Sequence, residues 1–199
     1  HEVIYFSQKN ELNEPSVWEE YFSENNDDLP KWKGAYRYFY NREAKRNLEK
    51  LIQREKPDIA HIHLFWGGLS PSIFSVLKKY KIPVIHTAHD HRMVCPAYLF
   101  RDKNGRICEA CRGGKYYNCL LKKCAKGKWL ESLIMTAEMY FRNCFYHPVK
   151  NLNGVIFVSE FDDTTFKYYM FVKIGIVLLF IKFLLDICLE YIKNWFKKF

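Results

Sequence analysis

Four short apolar runs, separated by segments with helical spacing, constrain the fold of this chain more than any other feature. Their β-branched and aromatic residues predict strands, and the runs are too apolar for strands with one solvated face. Strand, helix, strand, helix and strand in this order predict an α/β fold, in which helices cover a parallel sheet on both faces. The four runs are EVIYF at 2–6, IAHIHLF at 59–65, KIPVIHTA at 81–88 and GVIFVS at 154–159.

The segments between these runs predict helices. Apolar residues recur at helical spacing from Tyr38 to Arg54, and again through residues 129–146, with charged residues on the other faces. Ser70 followed by Pro71 predicts the N-cap and first residue of another helix. A short helix is also expected within residues 16–22.

Histidines and small polar residues gather where three of the predicted strands end. HIHLFWGG occupies 61–68, HTAHD occupies 86–90 and VSE occupies 158–160. Ligands of open parallel sheets bind beyond the carboxyl ends of the strands, so these segments predict one crevice. His61 and His63 are two residues apart on a strand, which points both side chains to the same face.

The order of these pieces resembles the N-terminal domain of glycosyltransferase family 4, whose enzymes have the GT-B fold. The resemblance covers about residues 1–161 and rests on KPDIAHIH, PVIHTAHD, the cysteine-rich segment and GVIFVSEF, in that order. It implies a Rossmann-like, acceptor-side domain over residues 1–165, with the first strand missing and a cysteine-rich insert at about 95–128. It also implies sugar transfer, with retention, from a nucleotide-sugar donor to a lipid-linked or polysaccharide acceptor, and no metal required for catalysis.

The resemblance also implies roles for residues of the crevice. His89 matches the family histidine that faces the transferred sugar and the diphosphate, where charge develops on the leaving group. Asp90 is expected to orient His89 or to contact the acceptor. The expected substrate-binding residues are His63, Gly67, Gly68 and Ser159.

Two parts of the family pattern are absent from the sequence. The family begins with an additional strand and a glycine-rich turn, and it continues into a second domain that carries a pair of glutamates for the nucleotide. We therefore expect this chain to be an incomplete N-terminal domain, and the sequence does not establish activity of the chain alone.

Four cysteines have a spacing that is compatible with a metal site. Cys108, Cys111, Cys119 and Cys124 follow the pattern C-x2-C-x7-C-x4-C, and zinc favours four soft ligands of this kind. The second pair is wider than in common zinc sites, so four reduced cysteines that pack in the core remain an equal alternative. Cys95 is a possible substitute ligand.

Two other function classes compete with sugar transfer. His61, His63, His89 and Asp90 could serve a metal-dependent hydrolase, although His147 is the only histidine after residue 91. Residues 101–128 carry nine basic and two acidic side chains, and this net charge of +7 would suit a basic zinc-binding nucleic-acid module. A nucleic-acid module of this kind would not account for the parallel sheet, so nucleic acid is not the expected partner.

The last segment, residues 166–199, departs from the family pattern. Charged residues interrupt its apolar run, so we expect an apolar and basic helical tail that lies on an anionic membrane surface and does not cross it. The alternatives are a helix packed on the protein itself, or residues that do not continue the authentic protein. HEVIYFSQKN lacks the features of a signal peptide, and seven cysteines fit a reducing compartment. The expected location is the cytoplasm, with peripheral attachment at the inner face of the membrane.

Overall fold

The computed structural model describes residues 2–102 and 104–158, which fall into two compact units. Of the described residues, the first unit contains 2–89 and 141–158, and the second contains 90–102 and 104–140. The helices are α1 (Lys31–Phe39), α2 (Arg42–Glu55), α3 (Ile73–Lys79), α4 (Tyr117–Leu121) and α5 (Trp129–Phe145), and the strands are β1 (Ala60–Ile62), β2 (Val84–Ala88) and β3 (Gly154–Phe157). Short 3₁₀ helices lie at Glu19–Tyr21, Asn26–Asp28, His91–Met93, Arg112–Gly114 and Pro148–Asn151.

The three strands form a parallel sheet in the order β1-β2-β3. Ile62 lies opposite His86 in the first pair of strands, and Ala88 lies opposite Phe157 in the second. The helical segments between the strands are the crossovers that parallel neighbours require. The predicted α/β class, with a parallel sheet and flanking helices, is confirmed.

Residues 2–6 are not a strand, so this prediction is wrong. Val3 and Tyr5 are 57% and 59% exposed, and the segment has no regular structure. The residues that follow pair with Ser23, whose N–H donates to the Ser7 carbonyl and whose carbonyl accepts from the Lys9 N–H. A run of β-prone residues becomes a strand only where a neighbouring strand pairs with its backbone N–H and carbonyl groups. Here Ser23 pairs with Ser7 and Lys9, which follow the run and do not belong to it.

The helix predicted from Tyr38 to Arg54 is two helices, because the chain turns at Asn41. The Asn41 side chain accepts a hydrogen bond from the Ala44 N–H at 3.0 Å and caps α2. The helix ends where expected: Lys56 adopts a left-handed conformation with φ of 49°, immediately before Pro57. The short helix expected within residues 16–22 is reduced to one 3₁₀ turn.

Ser70 is not the N-cap of α3, which begins three residues later at Ile73. Ser70 has a positive φ of 62°, and its hydroxyl accepts a hydrogen bond from the Asn41 N–H at 2.8 Å. The hydroxyl therefore serves the start of α2, which is distant in sequence. Local pattern alone does not reveal such a contact.

The core of the first unit lies between the sheet and its helices. Phe65 and Phe74 are each 1% exposed and meet edge to face, with ring centroids 5.0 Å apart. The guanidinium carbon of the buried Arg142 lies 4.2 Å from the Trp66 ring centre, a cation–π contact. These contacts fix the loop that follows β1.

The second unit has a separate core around α4 and the first part of α5. The Tyr140 hydroxyl donates to the Gly114 carbonyl at 2.9 Å, and the Tyr140 and Tyr116 rings pack with centroids 5.1 Å apart. The buried members of this core are Ala97, Cys111, Tyr116, Cys119, Met139 and Tyr140.

No helix within residues 2–102 and 104–158 is both long enough and apolar enough to cross a membrane. The predicted tail at 166–199 and the domain boundary at 165 lie outside the described residues.

Candidate functional site

Three histidines meet at the carboxyl ends of two neighbouring strands. His61 lies within β1 and His63 follows it, and their ring centroids are 4.4 Å apart. His89 follows the last residue of β2. Because β1 and β2 are parallel neighbours in register, these residues lie at the same edge of the sheet, as the sequence predicts.

His63 and His89 form a hydrogen-bonded pair. His63 Nδ1 lies 2.8 Å from His89 Nε2, and the two rings stack with centroids 5.1 Å apart. One nitrogen must donate and the other accept, so the pair shares one proton across the contact. Both rings are exposed, which leaves their outer edges open to a ligand.

The environment of His63 favours its neutral form. Although His63 is exposed, partial desolvation of its ring lowers its pKa, and the nearby rings of His61 and His89 lower the pKa further, since a second positive charge beside them is unfavourable. A neutral His63 can hold one proton at a fixed nitrogen. The tautomer of His63 is therefore coupled to that of His89 through the hydrogen bond between them.

The other two histidines of these strands serve the scaffold. His86 is 2% exposed and its Nδ1 donates to the Ile62 carbonyl at 3.0 Å, which ties β2 to β1. His61 Nε2 lies 2.8 Å from the Thr87 hydroxyl oxygen. Sequence reasoning did not single out Thr87, because its position beside His61 follows only from the register of the two strands.

Gly67 and Gly68 form a tight turn after β1 that asparagine side chains hold. Gly67 has a φ of +72°, and its carbonyl accepts a hydrogen bond from the Asn26 amide. The Asn41 amide donates to the Gly68 carbonyl at 2.7 Å. A Cβ at Gly68 would collide with the Gln8 side chain. The turn is thus fixed in place, and substrate contact by these two glycines stays a prediction.

A hollow in the first unit lies away from the histidines. Lys78, Lys81 and Lys150 line it, together with Val84 at the start of β2 and Asn153 just before β3. It therefore lies at the amino-terminal edge of the sheet, where ligands of parallel sheets do not usually bind.

A model of Glycosyltransferase Family 4 matches residues 1–162 of the chain. The chain belongs to this family. The curated proteins include a Klebsiella pneumoniae protein, described as "Uncharacterized 42.6 kDa protein in cps region", that is 37% identical over 57 residues. That match covers 29% of this chain and 15% of the relative. No solved structure gave a significant match.

Membership in glycosyltransferase family 4 confirms the resemblance that the order of the sequence motifs indicates.

Asp90, the other expected catalytic residue of this glycosyltransferase family member, belongs to the second unit. Its carboxylate accepts a hydrogen bond from the Arg92 N–H at 2.8 Å and caps the 3₁₀ helix His91–Met93. Its role toward His89 or the acceptor stays a prediction. Ser159 lies outside the described residues.

The cysteines of the insert lie in and around the second core. Cys111 and Cys119 are buried there, and Cys124 packs against them. Burial raises the pKa of the Cys111 thiol to about 12, and neighbouring sulfurs add to the effect. The Cys119 thiol has a raised pKa because it hydrogen-bonds to the Cys124 sulfur and is buried. Cys108 is half-buried, with Lys122 Nζ 3.8 Å from its sulfur.

Within residues 2–102 and 104–158, no three His, Cys, Asp or Glu side chains are grouped in a way that fits a metal ion. The spacing of Cys108, Cys111, Cys119 and Cys124 suits zinc and four reduced cysteines equally, and zinc binding stays a prediction.

Proposed function

We propose that this chain supplies the acceptor-side part of a retaining glycosyltransferase, which moves a sugar from a nucleotide-sugar donor to a lipid-linked or polysaccharide acceptor. The observation that carries the proposal is the exposed His63–His89 hydrogen bond at the carboxyl ends of two adjacent parallel strands. The family match supports the reaction class.

The proposed role of His89 is to donate a hydrogen bond to the departing diphosphate. Breaking the bond between the sugar and the diphosphate leaves additional negative charge on the phosphate oxygen, and a positioned donor stabilises that charge. If neutral His63 donates from Nδ1 to His89 Nε2, a neutral His89 carries its hydrogen on Nδ1 and presents it to the crevice. No metal ion is needed for this step in the proposal.

The proposed acceptor is consistent with the relative from Klebsiella pneumoniae, whose description places it in a cps region. A polysaccharide or lipid-linked acceptor would approach the same crevice, beside the Gly67–Gly68 turn, with Asp90 and Ser159 as further candidate contacts. The proposed location is the cytoplasm, at the inner face of the membrane. Residues 166–199 contain six lysines and two acidic residues, and this positive charge would favour binding to an anionic membrane surface.

The proposal is tested with native protein that contains residues 1–162, supplied with a panel of nucleotide sugars and with lipid-linked and polysaccharide acceptors. We expect one donor to yield free nucleotide and a glycosylated acceptor with the donor's anomeric configuration. His89→Ala should slow transfer by about a hundredfold, the usual effect of losing one such donor. His147→Asn is the matched control, since His147 immediately precedes the 3₁₀ helix Pro148–Asn151, which leads into the start of β3 at the opposite edge of the sheet.

An unchanged transfer rate in His89→Ala, with the fold retained by circular dichroism, would remove His89 from the site. Inversion of the anomeric configuration in the product would contradict the proposed retaining reaction. Absence of transfer with every donor and acceptor would contradict the proposed function itself.

A further inference from the structure

Thr87 lies on the same face of the sheet as the exposed histidines. His61 of β1 is paired with Ile85 of β2, and side chains two residues apart on a strand share a face. Thr87 is therefore the diagonal neighbour of His61 on this face. Its hydroxyl oxygen lies 2.8 Å from His61 Nε2, and Thr87 is only 7% exposed. The strand thus holds a buried hydroxyl against an exposed imidazole.

His61 connects Thr87 with His63. The ring centroids of His61 and His63 are 4.4 Å apart, and the ring planes are inclined by 37°. His63 Nδ1 in turn lies 2.8 Å from His89 Nε2. Thr87, His61, His63 and His89 therefore form a continuous series of contacts, which begins in β2 and ends at the crevice.

The ring of His63 needs support from its neighbours because the backbone alone does not fix it. His63 lies beyond the last residue of β1 and is exposed. The torsion that rotates an imidazole ring has a broad, roughly two-fold preference, so an unsupported ring also adopts flipped orientations. A flip would move Nδ1 of His63 away from Nε2 of His89 and break their hydrogen bond. The ring of His61 lies where it limits this rotation.

We propose that Thr87 and His61 are positioning residues of the His63–His89 pair. The Thr87 hydroxyl fixes the rotation of the His61 ring through Nε2, and the His61 ring holds His63 in the orientation that bonds to His89. Neither positioning residue touches the reacting atoms. The inference rests on the proposed function, since it assigns these residues to the site where His89 acts.

The hydrogen bond between Thr87 and His61 is not required to join the two strands. β1 and β2 are paired through residues 60–62 and 84–86, and the buried His86 donates a further hydrogen bond to the Ile62 carbonyl. Loss of the Thr87 hydroxyl should therefore leave the strands paired. We expect its effect in the orientation of the histidines and not in the fold.

The first test measures transfer by native protein that contains residues 1–162. Thr87→Val keeps the branched shape and removes the hydroxyl, and it should lower kcat about fivefold without changing KM for the donor, the effect of losing one hydrogen bond. Thr87→Ser keeps the hydroxyl and should have nearly the wild-type kcat. In His61→Phe, whose ring accepts no such bond, adding Thr87→Val should have no further effect. Thr136→Val is the matched control, since it removes another buried threonine hydroxyl, which donates to the Tyr116 carbonyl.

The second test does not depend on sugar transfer. Long-range proton–nitrogen NMR spectra of the imidazoles show which ring nitrogen carries the hydrogen. They are recorded on the same protein without donor or acceptor at about pH 8, where histidines are mostly neutral. His63 and His89 should each have one tautomer in wild type and in Thr87→Ser, and a mixture of two in Thr87→Val. His61→Ala removes the supporting ring and should give the same mixture.

The two tests separate this inference from the proposed function. Equal kcat and equal tautomers in wild type and Thr87→Val would overturn the inference, as would a Thr87→Ser variant that is as slow as Thr87→Val. Mixed tautomers in Thr87→Val, together with absent transfer by wild type, would contradict the proposed function and still support the positioning of the pair. If Thr87→Val fails to fold, His61→Ala decides, and a single tautomer of His63 in that variant would overturn the inference.

Discussion

Asn41→Ala should destabilise the first unit more than most polar substitutions, because Asn41 holds both the start of α2 and the turn beside the histidines. Asn41 is fully buried, its side-chain oxygen accepts from the Ala44 N–H, and its amide donates to the Gly68 carbonyl. Loss of an N-cap costs about 1 kcal/mol. Leaving the half-buried Gly68 carbonyl without its donor adds about 1–2 kcal/mol. The free energy of unfolding should therefore fall by about 2–3 kcal/mol.

Urea unfolding followed by circular dichroism measures this loss. With an m-value of about 2 kcal/mol per M, the midpoint should fall by roughly 1–1.5 M. Asn41→Ser separates the two contributions, since serine still caps a helix but has no amide to reach Gly68. It should lose about half as much stability as Asn41→Ala.

Asn10→Ser is the matched control, because the Asn10 side chain holds only an exposed turn. Its change should stay within about 0.5 kcal/mol. If Asn41→Ala lost less than about 1 kcal/mol, or if the serine and alanine variants were equally unstable, the assignment of two separate hydrogen bonds to Asn41 would be wrong.

Three further predictions concern stability. The fold lowers the pKa of His63, so at pH values below the ordinary histidine pKa of 6.5 the unfolded chain binds a proton at His63 more readily than the folded chain does. The free energy of unfolding should therefore decline on acidification, and it should decline less in His63→Gln. Equal pH profiles of the two proteins in urea titrations would refute this prediction. Arg37 is buried, and its Nη2 lies 3.1 Å from a carboxylate oxygen of Glu24 and 2.7 Å from one of Glu43. Arg37→Met should lower the free energy of unfolding by about 2 kcal/mol in chemical denaturation. An unchanged free energy of unfolding would show that these ion pairs do not stabilise the fold. Phe74→Ala should cost about 3–5 kcal/mol in the same assay, and a loss under about 1 kcal/mol would contradict its place in the core.

The strands of the sheet were predictable because their apolar runs are continuous and each is followed by a polar cluster. The runs at 59–65, 81–88 and 154–159 contain β1, β2 and β3, although each strand is shorter than its run. Residues 2–6 have the same composition without becoming a strand. The difference lies in backbone partners distant in sequence, which composition does not encode.

Ser70 shows the same limit for helix ends. Ser70 before Pro71 is a common start signal, but its hydroxyl serves the Asn41 N–H of another helix. A serine oxygen accepts a hydrogen bond from whichever N–H group the fold brings near. The local sequence therefore indicates that Ser70 can cap a helix, and it does not indicate which helix.

Of the candidate site, the position of the histidines was predictable and their pairing was not. The strand ends placed His63 and His89 at one edge through the rule for parallel sheets. Their hydrogen bond depends on the register of β1 with β2, which the sequence does not specify.

The most direct test of the central claim, that the His63–His89 pair serves sugar transfer, is a double-mutant cycle on the transfer rate. The variants are His89→Ala, His63→Gln and the double mutant, each made in native protein that contains residues 1–162. Both single changes should slow transfer, and the double mutant should be little slower than His89→Ala, because His63 acts through His89. Wild-type rates in His89→Ala, or losses that simply multiply in the double mutant, would contradict the account.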